Sequence, residues 1–504
     1  MIVDALNEHP AKPPRRRHEA PQGALARAAQ RARARPLART VRLAAGCAAA
    51  ASVGVLPAPD SASPLAAAPA LGASPGAHAT TQERASAPAR RAAGRTAASS
   101  YPASVSRPLS GRRPRARSSA ARLTALLSGA HSAHASSSAR AKTKKKKPHK
   151  PALRGNPARG LRAFAAMQRY YYVPGSGLYA GEPFSFLWPF SQALAATVSM
   201  ANVKSLAGTF RAEIHARLIG LRNYLDTNNS GAPEGTYTST LPAFDGAAAP
   251  PTGPGGPKFY DDNDWIGIEL VRIYKLTHSA GALGYAEGVM AFEMAGWQTD
   301  PTLACPGGIP FSNTLENTDR NTVSTAPAAE LAVQLYRITH RVQYLQFAEQ
   351  AYEWVRRCLQ QPSGLYSDHI RQHGVIDGTL WSYNQGTMIG AGTLLYQATG
   401  NGAYLYQARQ TAKAALEYFT PQRLAAENPF FPSVYFRNLM YLDSVTHDPP
   451  GAALAQAYVN TAWLSQRNRN DVFVGGAPPT AQLLVQAAIA QIYALLATPA
   501  STYL

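Results

Sequence analysis

A pattern of four residues recurs three times in this 504-residue chain: Tyr274, Thr277, Leu283 and Ala286, then Tyr336, Thr339, Leu345 and Ala348, then Tyr396, Thr399, Leu405 and Ala408. The internal spacing is identical each time, and the copies are shifted by 62 and 60 residues. Each copy ends one helix, turns and begins the next. A repeated helical hairpin cannot bury its apolar face alone, so neighbouring copies must pack side by side into an open solenoid or a closed ring. Helical periodicity falls near 157–172, 183–201, 205–226, 262–278, 282–297, 322–339, 343–360, 382–399, 403–419, 433–446, 452–466 and 480–497. Twelve helices and no convincing strands predict an all-α fold, six hairpins closing into an (α/α)6 barrel. An open solenoid is the alternative.

Charge divides the chain into two unlike parts. Residues 1–150 hold 27 Lys and Arg against 5 Asp and Glu, whereas residues 151–504 hold 23 against 24. The formal +21 is therefore a property of the first part. A fold that grips phosphates needs positive charge on its ordered surface, so no nucleic-acid partner is expected. The Ala/Arg/Ser/Pro/Lys-rich segment 1–155 lacks sustained periodicity and reads as disordered, with residues 156–504 as one folded domain. Within the tail, Arg39 and Arg42 precede an apolar run from Leu43 to Leu56, followed by Pro57 and the small residues Ala62 and Ala66. That is the layout of a secretory signal, and it predicts a secreted or cell-envelope-associated protein. The polycationic stretch from Arg107 to Lys150 would then suit an anionic cell-envelope polymer as partner.

Cys47 lies in the signal-like run, which leaves Cys305 and Cys358 able to pair in an oxidising compartment. The twelve His are scattered with no zinc pattern, so no metal is expected.

Chemistry in such a barrel belongs in the loops at one end. The most informative stretch is Tyr260-Asp261-Asp262-Asn263-Asp264-Trp265, where a loop passes into an amphipathic helix. Ile266, Leu270, Ile273 and Thr277 continue the helix, and their row runs back to Asp262, which should face inward. Asp261 lies on the row of Trp265 and Ile268. Acids in a first turn also serve simply as caps and dipole partners, and Asp264 reads as a solvated example. Other loops carry Phe186-Leu187-Trp188-Pro189, Gly235-Thr236-Tyr237, Gly307-Gly308, Gly364-Leu365-Tyr366-Ser367-Asp368 and Trp381-Ser382-Tyr383-Asn384-Gln385-Gly386. Aromatic rings beside Asn, Gln and Asp suit a sugar, whose faces stack while its hydroxyls need polar partners.

On these residues the chain resembles glycoside hydrolase family 76, the endo-α-1,6-mannanases, over roughly 160–497. The resemblance rests on the Asp261-Asp262 pair with its flanks, Gly307-Gly308, the Gly364–Asp368 segment, Trp381–Gly390, and Phe430-Phe431 leading into Tyr435-Phe436-Arg437. It implies an (α/α)6 barrel, cofactor-free hydrolysis of α-1,6-linked mannan with retention, Asp261 as nucleophile and Asp262 as general acid/base. The substrate-binding residues expected with them are Tyr260, Asn263, Trp188, Tyr237, Asp368, Trp381, Tyr383, Asn384 and Gln385. A monomer is the expected state. The chain makes two departures from the family pattern. Phe311 stands in a loop where a Trp is expected after the paired glycines, which bears on a stacking subsite, and Ser324 and Thr325 occupy a region where the family often has Asn, which bears on substrate contacts near the helix start.

A retaining glycosidase needs two carboxyls about 5–5.5 Å apart, one ionised and one protonated. Adjacent residues on a first turn can approach that separation, and the more buried row makes Asp262 the better acid. Three other readings stand beside this one. A magnesium-dependent terpene synthase would need an acid where Trp265 stands. A different (α/α)6 carbohydrate enzyme, an epimerase or an unsaturated-uronyl hydrolase, leaves the Asp pair unexplained. A catalytically silent glycan-binding or envelope protein could keep the same fold.

Overall fold

A computed structural model describes residues 153–229, 237–448, 450–476 and 482–504. The signal-like run, the basic tail to Lys150, and Gly235-Thr236 lie outside the described residues. Thirteen α-helices occur among the described residues: α1 Gly155–Tyr170, α2 Leu187–Asn202, α3 Arg211–Leu221, α4 Tyr260–Thr277, α5 Ala280–Ala295, α6 Thr322–Thr339, α7 Val342–Leu359, α8 Ser382–Thr399, α9 Gly402–Tyr418, the short α10 Pro421–Ala426, α11 Phe430–Thr446, α12 Pro450–Thr461 and α13 Leu483–Leu495. The periodic segments of the sequence match twelve of them; α10 was not expected.

Six helices form a closed inner ring, with α2 packed on α4, α4 on α6, α6 on α8, α8 on α11, α11 on α13, and α13 back on α2. That closure is an (α/α)6 barrel and excludes the open solenoid. Each inner helix has an outer partner: α3 on α2, α5 on α4, α7 on α6, α9 on α8, α12 on α11, and the N-terminal α1 on the C-terminal α13. Composition dictates the layer. All of α13 from Leu483 to Leu495 is buried, whereas α7 buries one stripe, including Tyr344, Phe347, Ala351 and Trp354, and leaves Glu353 and Arg356 outside. Inner helices approach closely where side chains are absent. A Cβ on Gly386 would meet the Tyr435 Cα at 2.7 Å, which ties part of the Trp381–Gly390 segment to helix packing.

The sequence repeat is a helix-ending device. In three inner helices a left-handed residue follows the last turn (His278, φ 56°; His340, φ 57°; Gly400, φ 74°), and its N–H donates to the carbonyl of Tyr274, Tyr336 or Tyr396. The repeated Thr hydroxyl donates to the carbonyl four residues back (Thr277 to Ile273, Thr339 to Leu335, Thr399 to Leu395) and accepts the N–H two residues on. A fourth copy, hidden in the sequence because Asp443 replaces the Tyr, uses Thr446 and His447 at the end of α11.

All six inner helices begin at the same end. The fourth residue of four of them, Asn263, Thr325, Gln385 and Gln486, accepts a hydrogen bond from the backbone N–H of Phe244, Ile309, Tyr366 and Phe473 respectively. These side chains tie the long loops down around the mouth. Contrary to expectation, the loops also contain two-residue strands: β1 Leu225–Asp226 pairs antiparallel with β2 Ala243–Phe244, and β3 Arg320–Asn321, β4 His369–Ile370 and β5 Ile376–Asp377 form an antiparallel sheet in that order. Two residues are too few to leave an alternating pattern. Cys305 and Cys358 are disulfide-bonded, Cα to Cα 6.1 Å, joining the loop before β3 to α7.

Candidate active site

Asp261 and Asp262 occupy the first turn of α4, whose N-cap, Phe259, has no capping side chain. Asp262 faces inward and is fully buried, as its row predicts, while Asp261 is partly accessible. Burial pushes the Asp261 carboxyl well above the usual range. The charges of Asp262 and Asp368 add to it, and backbone N–H groups at the helix start oppose it without reversing it.

Asp264 is not solvated: it is fully buried and, with Glu293 of α5, leaves all four carboxyl oxygens without a hydrogen-bond partner among the described residues. Burial raises both acids, reinforced at Asp264 by Asp261 and Glu330 and at Glu293 by Asp264 and Asp261. Two carboxyls stripped of water in this way retain protons. Glu293 was not singled out in the sequence, because on α5 it reads as one more acid on a surface helix.

Asp368 reaches the pair from the strand-bearing loop between α7 and α8. Its Oδ1 accepts from Asn384 Nδ2 at 3.2 Å, and its Oδ2 lies 3.0 Å from His369 Nδ1. The backbone on either side is pinned, with Thr322 N–H donating to the Asp368 carbonyl and Asp368 N–H to that of Asp377. Tyr383 is buried beside these groups; burial raises its phenol, and the charges of Asp368 and Asp261 both contribute.

An aromatic wall flanks the acids and centres on Phe430-Phe431 at the start of α11. Trp188 packs edge-on to Phe430 at 5.4 Å and stacks over Phe431 at 6.4 Å; Trp381 meets Phe431 at 5.3 Å, Tyr383 meets it at 4.2 Å, and Trp265 meets Phe430 at 5.6 Å. Below it, the barrel interior holds buried charge rather than hydrocarbon. Arg437 donates to Glu269 at 3.1 Å and lies 3.8 Å from Glu330, and Arg272 holds both Glu269 oxygens at 2.8 and 2.7 Å.

Four of the expected substrate-binding residues stand apart from this cleft. Tyr260 stacks on Phe292 of α5 at 4.5 Å. Asn263 holds the backbone of Phe244 and Phe259, and Gln385 that of Tyr366 and Trp381. Tyr237 lies 5.7 Å from the ammonium of Lys258, which is buried among Asp226, Asp245 and Asn229 at 3.2, 3.1 and 2.7 Å. Thr325, read as bordering the substrate, holds the Ile309 N–H, and Phe311 packs edge-on to Phe259 at 5.2 Å. Asp261, Asp262, Asp368, Tyr383, Asn384, Trp188 and Trp381 are the residues brought together. Among the described residues no group of three or more His, Cys, Asp or Glu is placed to hold a metal ion.

The chain is similar in sequence or fold to several known proteins. A mannan endo-1,6-alpha-mannosidase of Saccharomyces cerevisiae is 26% identical over 133 residues, which is 24% of this chain and 29% of that protein, so the match spans under a third of the yeast relative. The family 76 glycoside hydrolase (mannosidase) of Bacteroides thetaiotaomicron superposes with a TM-score of 0.60 at 21% identity, covering 68% of this chain and 98% of its own. An inactive variant of the α-1,6-mannanase of Salegentibacter sp., with Asn in place of two consecutive Asp and in complex with α-1,6-mannotriose, superposes at 0.55 with 21% identity, covering 68% and 99%. The glycosyl hydrolase family 76 model matches residues 163–443, from α1 to the last turn of α11 and including the paired acids. With more than half of its length matched, the chain belongs to glycosyl hydrolase family 76.

Proposed function

We propose that this protein hydrolyses α-1,6-mannosidic linkages with retention, using Asp261 as nucleophile and Asp262 as general acid/base. The observation that carries the reading is the position of two consecutive carboxyls on the first turn of an inner helix, at the mouth of the barrel, beside Asp368, Tyr383 and an aromatic wall. The Salegentibacter relative supports it, since replacing two consecutive Asp there leaves an inactive protein that still takes α-1,6-mannotriose.

In the first step Asp261 attacks the anomeric carbon while Asp262 gives its proton to the departing glycosidic oxygen. In the second, Asp262 takes a proton from water, which attacks the same carbon and releases Asp261. Burial and the neighbouring carboxyls favour retention of a proton within the cluster, and the nucleophilic role requires Asp261 to be the ionised member when the sugar is bound. Trp188 and Trp381 offer faces to the sugar rings, and Asn384, whose Oδ1 is buried without a partner, offers an acceptor to a hydroxyl.

Incubation with unbranched α-1,6-mannan tests this directly. A ladder of oligomers means internal cleavage and mannose alone means terminal cleavage. Unchanged polymer contradicts the reading and favours a silent glycan-binding protein. We place the protein outside the cytoplasm, which the Cys305–Cys358 disulfide and the signal-like run support, with the basic tail holding it to anionic envelope polymer in a salt-sensitive manner. Among the described residues no helix is long and apolar enough to cross a membrane.

A further inference from the structure

One buried histidine next to the acid cluster has no part in the reaction just described. His369 lies in β4, with its side chain only 2% exposed, and it is flanked by carboxylates on both ring nitrogens. Nδ1 is 3.0 Å from Asp368 Oδ2, and Nε2 is 3.9 Å from Asp319 Oδ2. Asp377, whose backbone pairs with His369 across the β4–β5 ladder, is a third acid near the ring. A neutral imidazole has one N–H to donate, whereas an imidazolium donates from both nitrogens, so acids on both sides favour the doubly protonated ring.

We propose that His369 is a positioning residue for the hydrolysis: as an imidazolium between Asp319 and Asp368, it fixes the Asp368 carboxylate in orientation beside Asp261. The proposal rests on the catalytic reading above.

The geometry supports it in three ways. Asp368 has one oxygen held by Asn384 and the other by His369, so removing the imidazole frees one side of a carboxylate that is 5% exposed. The peptide of His369 is locked by ladder pairing to Asn321 and Asp377, so the ring sits on a rigid element. Electrostatics point the same way. Burial disfavours the charged ring, but the hydrogen bond to Asp368 and the charges of Asp368, Asp319 and Asp377 outweigh it, and the ring holds its proton above the usual range. Function follows from the sign of Asp368. The charge of Asp368 contributes to the proton affinity of Asp261, and a carboxylate held beside the nucleophile would stabilise positive charge developing on the sugar in the transition state. Without the imidazolium the carboxylate would be free to turn from Asp261, the acid cluster would lose a neighbouring positive charge, and both effects would fade.

Two measurements on the full chain test this. In the first, NMR of protein labelled at histidine follows the His369 ring through its titration, with His369→Gln identifying the signal. The ring should titrate above the ordinary histidine value of about 6.5, and Asp368→Asn and Asp319→Asn should each lower it. A ring that titrates below that value, or is unmoved by Asp368→Asn, overturns the bridge whether or not the protein cleaves mannan. In the second, His369→Asn retains a donor toward Asp368 but removes the charge, and His369→Ala removes both. On α-1,6-mannan, kcat should fall by about 10-fold or more in His369→Ala with KM within about 2-fold, with partial recovery in His369→Asn and its acid limb of kcat/KM moved to higher pH. A fall in both variants with an unmoved acid limb, in protein folded by circular dichroism, would assign His369 a packing role only. A wild type inactive on mannan defeats the substrate reading instead, and the ring titration still decides the bridge.

Discussion

Gln385 and Tyr366 exchange a pair of hydrogen bonds between a side chain and a backbone: Gln385 Oε1 accepts from the Tyr366 N–H at 2.8 Å, and Gln385 Nε2 donates to the Tyr366 carbonyl at 3.0 Å. A third bond reaches the Trp381 carbonyl at 3.1 Å. Tyr366 is two residues from Asp368, so this amide sets the course of the loop that carries Asp368 to the acids. Gln385→Ala leaves buried backbone groups unpaired and should lower the unfolding free energy by about 3 kcal/mol, read from urea denaturation. Catalysis should fall with it. Unchanged stability accompanied by a raised KM would place the amide on the sugar instead.

Asp261→Asn and Asp262→Asn should each reduce turnover by at least about 10³-fold with the fold intact. The roles separate with azide and a substrate bearing a good leaving group. In Asp261→Ala azide replaces the nucleophile and gives the β-mannosyl azide, whereas in Asp262→Ala it intercepts the glycosyl-enzyme and gives the α anomer. The reverse pattern exchanges the two roles, and the high proton affinity of Asp261 makes this comparison worth making.

The acids buried in this barrel set its stability against pH. Burial pushes Glu330 up to about 7, as it does Glu427, despite the Ser382 N–H and hydroxyl that both donate to Glu427. A carboxyl raised in the folded state stabilises fully below its unfolded pKa, about 4.3 for Glu, and loses that contribution as pH rises through its folded value. Thermal unfolding monitored between pH 5 and pH 8 should therefore show Tm falling by several degrees, and Glu427→Gln should flatten part of the slope. A Tm that rises over this window contradicts the assignment.

The Cys305–Cys358 bond closes a span of 53 residues. Loop-closure entropy puts its worth at about 4 kcal/mol as an upper figure. Cys305→Ser with Cys358→Ser should bring chemical denaturation of the oxidised protein to the level of the reduced wild type, and the reducing agent should then have no further effect.

The barrel was legible because the helix-ending Tyr and Thr recur with the hairpins, and because inner and outer helices differ in how much of their circumference is apolar. Asp262 was legible for the same reason, lying on a row that continues through Ile266. Which polar side chains face substrate was not. Asn263 and Gln385 stand among aromatics in a loop-to-helix segment, as sugar ligands do, yet the fourth residue of an inner helix lies against the incoming loop and spends its amide on backbone. Tyr260 was misplaced because one residue before Asp261 the helix already faces α5, where Phe292 receives the ring. Asp264 was taken as solvated because nothing in local periodicity reports that α5 and Glu293 cover it.

The stereochemistry of the first product tests the central claim most directly. Proton NMR of the anomeric region during the first minutes of α-1,6-mannan cleavage, before mutarotation, should show the α anomer, because attack by Asp261 and then by water inverts the carbon twice. An initial β anomer would mean direct attack by water, a base that lies elsewhere, with Asp368 the first candidate, and only a capping role for one member of the Asp261–Asp262 pair.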